Sequence, residues 1–326
     1  MTVLVTGGAG YIGSHTVHEL VDAGERVVVL DNLSTGFLSA LPDPGLAVLG
    51  DVGDQALVAS LIGRHQVDAV IHFAGSIVVP QSVRDPLGYY RNNTVNSRSL
   101  IETAIECGVR YFIFSSTAAV YGNPAQVPII EDAPLAPVSP YGWSKLMTEV
   151  MLRDAATAHG LGHVILRYFN VAGADAIQRT GQSTRDATHL IKVAVQSALG
   201  LRERLEVFGT DYPTPDGTCV RDYIHVTDLA RAHRAALTHL RGGGANATLN
   251  CGYGRGYSVL DVIEAVQRAA GHDLPVRMGP RREGDAISIV AAANRIRELL
   301  HWKPKFDDLD TIVSHALAWE RHLMTR

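Results

Sequence analysis

The 326-residue chain contains three cysteines, four lysines and no hydrophobic run long enough to cross a bilayer. Cys107, Cys219 and Cys251 are odd in number and far apart, which speaks for reduced thiols and against a disulfide framework. There is no C-x-x-C and no H-E-x-x-H, and the fourteen histidines are scattered, so no metal site is expected. No basic leader precedes an apolar segment at the start, so the expected location is the cytoplasm. Charge of either sign is not in excess. The 29 Lys+Arg against 33 Asp+Glu leave a net of -4, which gives no general attraction to nucleic acid or an anionic membrane. Asn92-Asn93-Thr94 and Asn246-Ala247-Thr248 match the glycosylation pattern but carry no meaning in a cytoplasmic chain. Internal repeats are missing, as is any linker dividing two clean domains, and Gly242-Gly243-Gly244 reads as a loop tip. A hydrophobic share of 46% and a mean hydropathy of +0.07 fit one large α/β unit with an appended lobe.

The first thirty residues carry the strongest pattern. Met1 to Val5 reads as a buried strand, Thr6-Gly7-Gly8-Ala9-Gly10 as a glycine turn, and Tyr11-Ile12-Gly13-Ser14-His15 as a helix start. Arg26 to Asp31 is the next parallel strand. Gly8-x-Gly10-x-x-Gly13 matches the dinucleotide fingerprint, whose glycines allow a tight turn, close approach of backbone to a pyrophosphate, and close packing of helix on strand. The helix start offers unpaired N–H groups to the phosphates. Asp31 at the strand end can accept hydrogen bonds from ribose hydroxyls and would repel a 2′-phosphate, so NAD is favoured over NADP.

Further along, Asn32-Leu33-Ser34-Thr35-Gly36 is a polar loop expected near the adenosine. Leu46–Leu49 is a third strand, and Asp51-Val52 follow it. Asp51 could reach the adenine amino group or cap the helix expected over 55–64. Strand four (67–75) ends in Phe73-Ala74-Gly75, small enough to let a cofactor lie against the backbone. Asp85-Pro86 opens a helix expected to run to Glu106, with Asn92 near its start, and strand five ends in Ser115-Ser116-Thr117. This alternation predicts a Rossmann-type, doubly wound parallel sheet. A proline-bearing loop (118–138) leads to Ser139-Pro140, which read as N-cap and first helical position. Strand six spans 161–169. Residues 172–186 read as an irregular connection, and helices are expected over 187–199, 227–240, 258–270, 291–300 and 308–323. The domain reading is a cofactor-binding unit (1–171) and a smaller lobe (172–326) whose chain partly returns to the first.

Tyr141-Gly142-Trp143-Ser144-Lys145 places a phenol and an ammonium four apart on one helix face. A free tyrosine, with a pKa of about 10, is too weak a base at neutral pH. A nearby ammonium and a positively charged nicotinamide both favour the phenolate. Lys145 could also hold the nicotinamide ribose, and the hydroxyls at the end of strand five could bond the same substrate oxygen.

These motifs resemble the extended short-chain dehydrogenase/reductase family, and within it the UDP-sugar 4-epimerases. The resemblance runs through essentially the whole chain. It is carried by Thr6–His15, Asp31-Asn32-Leu33, His72–Gly75, Phe114–Gly122, Ser139–Lys145, Arg167-Tyr168-Phe169-Asn170, Asp211–Thr218, Val220–Val226 and Arg281-Arg282-Glu283-Gly284-Asp285. It implies an enzyme that interconverts UDP-glucose and UDP-galactose with a tightly held NAD. A hydride leaves C4 of the hexose while Tyr141 takes the O4 proton and Thr117 bonds O4. The 4-keto sugar then swings about its diphosphate link and is reduced on its other face. The resemblance also implies cofactor contacts from Gly7, Tyr11, Ile12, Ser115 and Phe169. For the nucleotide sugar it implies Asn170, His189, Leu190, Phe208, Arg221, Tyr223, Arg282 and Asp285, with the two arginines on the diphosphate. His189 stands where other members have Asn, and Ile289 falls at a position whose bulk tunes acceptance of N-acetylated sugars. Ala118-Ala119 stand where a dehydratase carries Asp-Glu, which argues against dehydration. A homodimer formed through helices near 86–106 and 141–159 is also implied.

Overall fold

The computed structural model describes residues 1–184, 187–282 and 285–325. Its first half alternates strands and helices: β1 (Thr2–Thr6), α1 (Tyr11–Asp22), β2 (Arg26–Asp31), β3 (Ala47–Leu49), α2 (Gln55–His65) and β4 (Val67–His72). There follow α3 (Val79–Arg84), α4 (Pro86–Tyr89), a π-helical turn (Tyr90–Val95), α5 (Asn96–Glu106), β5 (Tyr111–Thr117), α6 (Pro140–His159) and β6 (Gly162–Tyr168). The second half contains β7 (Asn170–Ala172), α7 (Leu190–Ala198), β8 (Leu205–Phe208), β9 (Val220–His225), α8 (Val226–Arg241), β10 (Ala247–Cys251), β11 (Gly256–Ser258) and α9 (Val259–Ala270). The chain closes with β12 (Val276–Gly279), β13 (Ser288–Ile289), α10 (Asn294–Leu300) and α11 (Leu309–Met324).

The main sheet is parallel, in the order β10-β6-β5-β4-β1-β2-β3. Successive residues along a strand point to opposite faces, and both faces are apolar, as a sheet covered on two sides requires. Val3, Val5, Val27, Val29, Ile71 and Ile113 share one core with Val17 and Leu20 of α1 and Leu229 and Ala232 of α8. Leu4, Val28, Leu30, Val70, Phe112 and Phe114 share the other with Val58, Leu100, Ile101 and Leu152 from α2, α5 and α6. Truncating a ring such as Phe112 to alanine would cost about 3–5 kcal/mol. Strand order reverses between β1 and β4, so the crevice of the doubly wound sheet opens at the carboxyl ends of these two strands.

Local chemistry accounts for the helix limits. Ser139 Oγ accepts from Gly142 N at 3.2 Å, Pro140 sits at the first position of α6, and Gly160 ends the helix at φ 71°. Asp54 caps α2 through Leu57 N, and Ser258 and Asp261 form a capping box on α9.

Two smaller sheets flank the main one. β9 is central to the first, pairing with β11 antiparallel and with β13 and β7 in parallel. β8 and β12 form the second, in parallel.

Several expectations need correction. The helix expected from Pro86 to Glu106 is interrupted by the π-turn and preceded by α3, since Asp85 both ends α3 and caps α4. The helix expected from Ala187 begins at Leu190, and the one expected from Ala291 begins at Asn294. Strand six stops at Tyr168 and a separate strand starts at Asn170, where the chain changes partner from β5 to β9. Strands β7 to β13 were not anticipated, because each is too short or too mixed in pattern to signal itself.

Candidate active site

The crevice is built from the loops that follow the strands. Gly7 turns the chain after β1 at φ 70°, and a Cβ there would lie 2.6 Å from Ala74 N. It brings the β1 loop against Phe73-Ala74-Gly75, whose Phe73 and Ala74 N–H groups both donate to Thr6 O. Gly7, rather than Gly8, is therefore the position whose backbone demands glycine. A Cβ on Gly13 would meet Gly7 O at 2.2 Å, so the start of α1 lies directly on the turn. No side chain caps that helix and no acidic residue occupies its first turn, so its leading N–H groups face the crevice without a competing anion. Tyr11 OH donates to Gly173 O at 2.7 Å, tying this corner to the chain beyond β7. Ile12 packs partly buried on the core.

Asp31 is buried at the end of β2, and its carboxylate accepts from Ala9 N at 2.9 Å and Leu33 N at 2.8 Å. It therefore organises both the glycine turn and the following loop, while each oxygen keeps a lone pair for a ribose hydroxyl. Ser34 N donates to Asn32 Oδ1 at 3.0 Å. Beyond Thr35, a Cβ on Gly36 would meet Ala9 C at 2.9 Å, so this loop folds back onto the turn. Asp51 accepts from Gly53 N at 2.8 Å and Asn96 Nδ2 at 2.9 Å, and does not cap α2, which is Asp54's task. Val52 beside it is buried. Asp51 and Asn92 line one cavity of about 420 Å³ with Ser76, Gln81 and Tyr89. These features fit a dinucleotide: a glycine cradle, an uncapped helix start, a carboxylate at the second strand and a polar cavity beyond it.

Tyr141 and Lys145 emerge from the first turns of α6 into the same crevice, and both are buried. Lys145 Nζ donates to Ser115 O at 3.1 Å and lies 5.0 Å from the Phe114 ring centroid. Burial pushes Lys145 down to about 8, opposed by Glu149. Thr117, at the end of β5, accepts from Ala119 N at 3.1 Å, and its hydroxyl lies near enough to the Tyr141 phenol to pull the Tyr141 pKa down. The expectation joined the neighbouring ammonium to a positively charged nicotinamide; in the chain alone, burial dominates. Burial raises the Tyr141 pKa, and Tyr168 adds to the rise, while the Thr117 hydroxyl opposes it only partly. The free protein holds Tyr141 as a neutral phenol.

Strand register gathers the residues expected to hold a nucleotide sugar into two groups, one on β7, β9 and β13 and one on β8 and β12. Asn170 on β7 is opposite Tyr223 on β9, and Arg221 on β9 is opposite Ile289 on β13. Arg221 Nη1 donates to the Val220 carbonyl at 2.9 Å. Phe208 pairs with Gly279, which brings Arg282 over its ring at 4.6 Å, and Arg282 Nε donates to Asp285 at 3.0 Å. Glu283 and Gly284 of that motif lie outside the described residues. Asn170, His189, Leu190 and Tyr223 line a second, smaller cavity with Lys192 and Trp319. Gln182 Nε2 donates to His189 Nδ1 at 2.8 Å. Phe169 is buried, its N–H bonded to Cys251 O at 3.3 Å.

Sequence reading missed Asn93, which the π-turn directs inward. Its Oδ1 accepts from Ser76 N at 2.7 Å and its Nδ2 donates to Ser144 Oγ at 3.0 Å, joining the β4 loop to α6. It also missed Glu149 and Arg167, a fully buried ion pair behind Lys145. An acid inside an amphipathic helix gives no signal of burial without knowledge of what packs on it.

Comparison with known proteins agrees with this geometry. The NAD dependent epimerase/dehydratase family matches residues 3–252. A UDP-glucose 4-epimerase of Azospirillum brasilense is 60% identical over 321 residues, 98% of this chain and 92% of that one. The crystal structure of UDP-glucose 4-epimerase from Brucella ovis in complex with NAD superposes with a TM-score of 0.94 at 46% identity, covering 97% of each chain. A UDP-glucose-4-epimerase from Stenotrophomonas maltophila, solved with bound NAD and formylated UDP-arabinopyranose, gives 0.96 at 40% identity over 100% of this chain and 99% of that one.

Proposed function

The chain belongs to the NAD dependent epimerase/dehydratase family, and from that premise we infer that it interconverts UDP-glucose and UDP-galactose with NAD as its redox cofactor. The observation that carries this reading is the convergence of Tyr141, Lys145 and Thr117 at the carboxyl edge of the sheet, beside the glycine cradle. Residues 1–171 with the returning segment 226–251 form the proposed cofactor-binding unit, and the rest of 172–326 the nucleotide-sugar lobe. Gly7, Gly10 and Gly13 with the start of α1 would hold the pyrophosphate, Asp31 the adenosine ribose, and Lys145 the nicotinamide ribose.

Held by these residues, NAD would supply reversible hydride acceptance at C4 and a positive charge in the crevice. Tyr141 takes the O4 proton during oxidation and gives it back during reduction. Thr117 holds O4 within reach of the phenol. Lys145 supplies a positive charge one helical turn away, which favours the phenolate as the O4 proton moves. Arg221, Arg282 and Asn170 anchor the diphosphate, so the hexose can turn about that anchor and present its other face. Ala118-Ala119 offer no acid or base to expel a second hydroxyl, so the chemistry ends at C4.

We place the enzyme in the cytoplasm, a reading supported by its three free cysteines. Among the described residues no helix is long and apolar enough to cross a membrane. We also propose a homodimer. Trp143, Met147 and Val150 form an exposed apolar stripe on α6, and Val83, Leu87 and Val95 are exposed on the neighbouring helical segment.

The test is the purified protein with UDP-galactose and no added cofactor, beside a denatured sample assayed for released NAD. Stoichiometric NAD and formation of UDP-glucose are expected, with a loss of roughly 10³-fold or more in kcat for Tyr141→Phe. Turnover surviving that substitution with little loss would remove Tyr141 as the base.

A further inference from the structure

Glu149 follows Lys145 by one turn of α6 and is completely buried. Arg167 of β6 grips its carboxylate, with Nε 3.0 Å from Oε1 and Nη2 2.6 Å from Oε2. Ser116 Oγ of β5 donates to the same Oε1 at 2.5 Å. Arg167 Nη1 donates to Tyr121 OH at 2.9 Å and to Glu131 O at 3.1 Å, and Tyr121 donates to Asn250 Oδ1 at 2.7 Å. One carboxylate thus joins α6 to β5 and β6, and through Tyr121 to β10.

Stability is a weak reason for such a pair, because apolar residues of similar volume often replace a buried ion pair without loss. Location is a better one. Ser116 lies between Ser115, whose carbonyl takes the Lys145 ammonium, and Thr117, whose hydroxyl lowers the Tyr141 pKa. Other groups around Lys145 give its charge little support. Tyr141 on the same helix and Tyr168 on β6 are phenols whose pKa values burial raises. His72 on β4 is pushed down to about 3 and stays neutral. Phe114 on β5 offers a ring face, Asn93 beside Gly75 is an amide, and Arg167 has the same sign as the ammonium. Glu149 is the anion that raises the Lys145 pKa.

We propose that Glu149 is a positioning residue: clamped by Arg167 and Ser116, it sets α6 against the ends of β5 and β6 and keeps Lys145 as the ammonium that Tyr141 requires. This rests on the reading of Tyr141 as the base. The chain has only four lysines, so NMR titration of 13C-labelled lysine side chains can follow Lys145 directly, its signal assigned by Lys145→Met. In Glu149→Gln the Lys145 midpoint falls by about one pH unit. The kcat falls about 10-fold at pH 9 and little at pH 6, so its pH profile moves with the midpoint, while KM for UDP-galactose stays within about 2-fold.

Because Glu149→Gln leaves Arg167 unpaired, the double variant Glu149→Met with Arg167→Met provides a well-packed control. It recovers thermal stability, yet its Lys145 midpoint stays below that of the wild type. A folded Glu149→Gln or double variant with the wild-type midpoint and pH profile overturns the proposal and leaves the pair a purely structural one. Absence of UDP-galactose turnover in the wild type sinks the epimerase reading instead, and the titration still reports on the clamp.

Discussion

Alanine at Gly13 and alanine at Gly10 should fail in different ways. A Cβ on Gly13 would lie 2.2 Å from Gly7 O and 2.8 Å from Gly8 Cα, both backbone atoms. Ordinary contact requires about 1 Å of retreat, and neither the turn nor α1 can give that much separately, since the turn is pinned to Ala74 and α1 to α8. Overpacking of this kind costs about 1–3 kcal/mol or more, a large share of a stability of 5–15 kcal/mol, so the melting temperature of Gly13→Ala should fall by roughly 5 °C. Bound NAD is lost with it, because the cradle is displaced.

At Gly10 the nearest atom to an added Cβ is Gly7 O at 3.2 Å, and its φ of -77° suits alanine. Gly10→Ala should fold with a melting temperature within about 2 °C of the wild type, yet release little or no NAD, because its methyl occupies the surface the pyrophosphate must approach. Gly63, in the interior of α2 with nothing within 4 Å of an added Cβ, is the control: Gly63→Ala stabilises by about 0.5–1 kcal/mol and leaves NAD content unchanged. The assay is calorimetry paired with NAD released on denaturation, per mole of protein. A Gly13→Ala protein that melts like the wild type and keeps its NAD, or a Gly10→Ala protein with full NAD, refutes the division of labour.

The remaining predictions concern acid and assembly. Burial lowers His15 and His233 to about 4 and His72 to about 3, against 6.5 for an open histidine, and each is almost wholly inaccessible. Between pH 6.5 and those values the unfolded chain binds more protons than the native one, so stability declines as pH falls through this window. Each histidine contributes on the order of 3 kcal/mol by its lower limit, and a melting temperature that stays flat from pH 6.5 to 4.5 would contradict their burial as neutral rings. For assembly, Met147→Glu places a charge in the exposed α6 stripe and should shift sedimentation from dimer to monomer without altering the circular dichroism. A wild type that already sediments as a monomer removes the basis for the dimer.

Legibility followed the range of the interactions involved. β1, α1 and β2, the cap at Ser139-Pro140 and the Tyr141-Lys145 spacing could all be read from sequence because each depends on neighbours within a few residues. The π-turn at Tyr90–Val95 could not, since it answers to Ser76 and Ser144, which Asn93 reaches from opposite sides. Nor could the pairing of β10 beside β6, which needs a partner some eighty residues away.

By itself the sequence determined the doubly wound sheet, the glycine fingerprint at Gly8, Gly10 and Gly13, and the chemistry of the residues at its edge, because periodicity, caps and glycine turns are local. Tertiary structure alone decided that Arg221, Tyr223 and Asn170 stand together through β9, that Asp31 also ties Ala9 and Leu33, and that Glu149 is clamped by Arg167 and Ser116. It also showed that burial raises the Tyr141 pKa in the chain alone, an effect that no spacing of residues could reveal. The reason is dielectric: the energy of a charge depends on everything packed around it, and that packing exists only after distant segments have met.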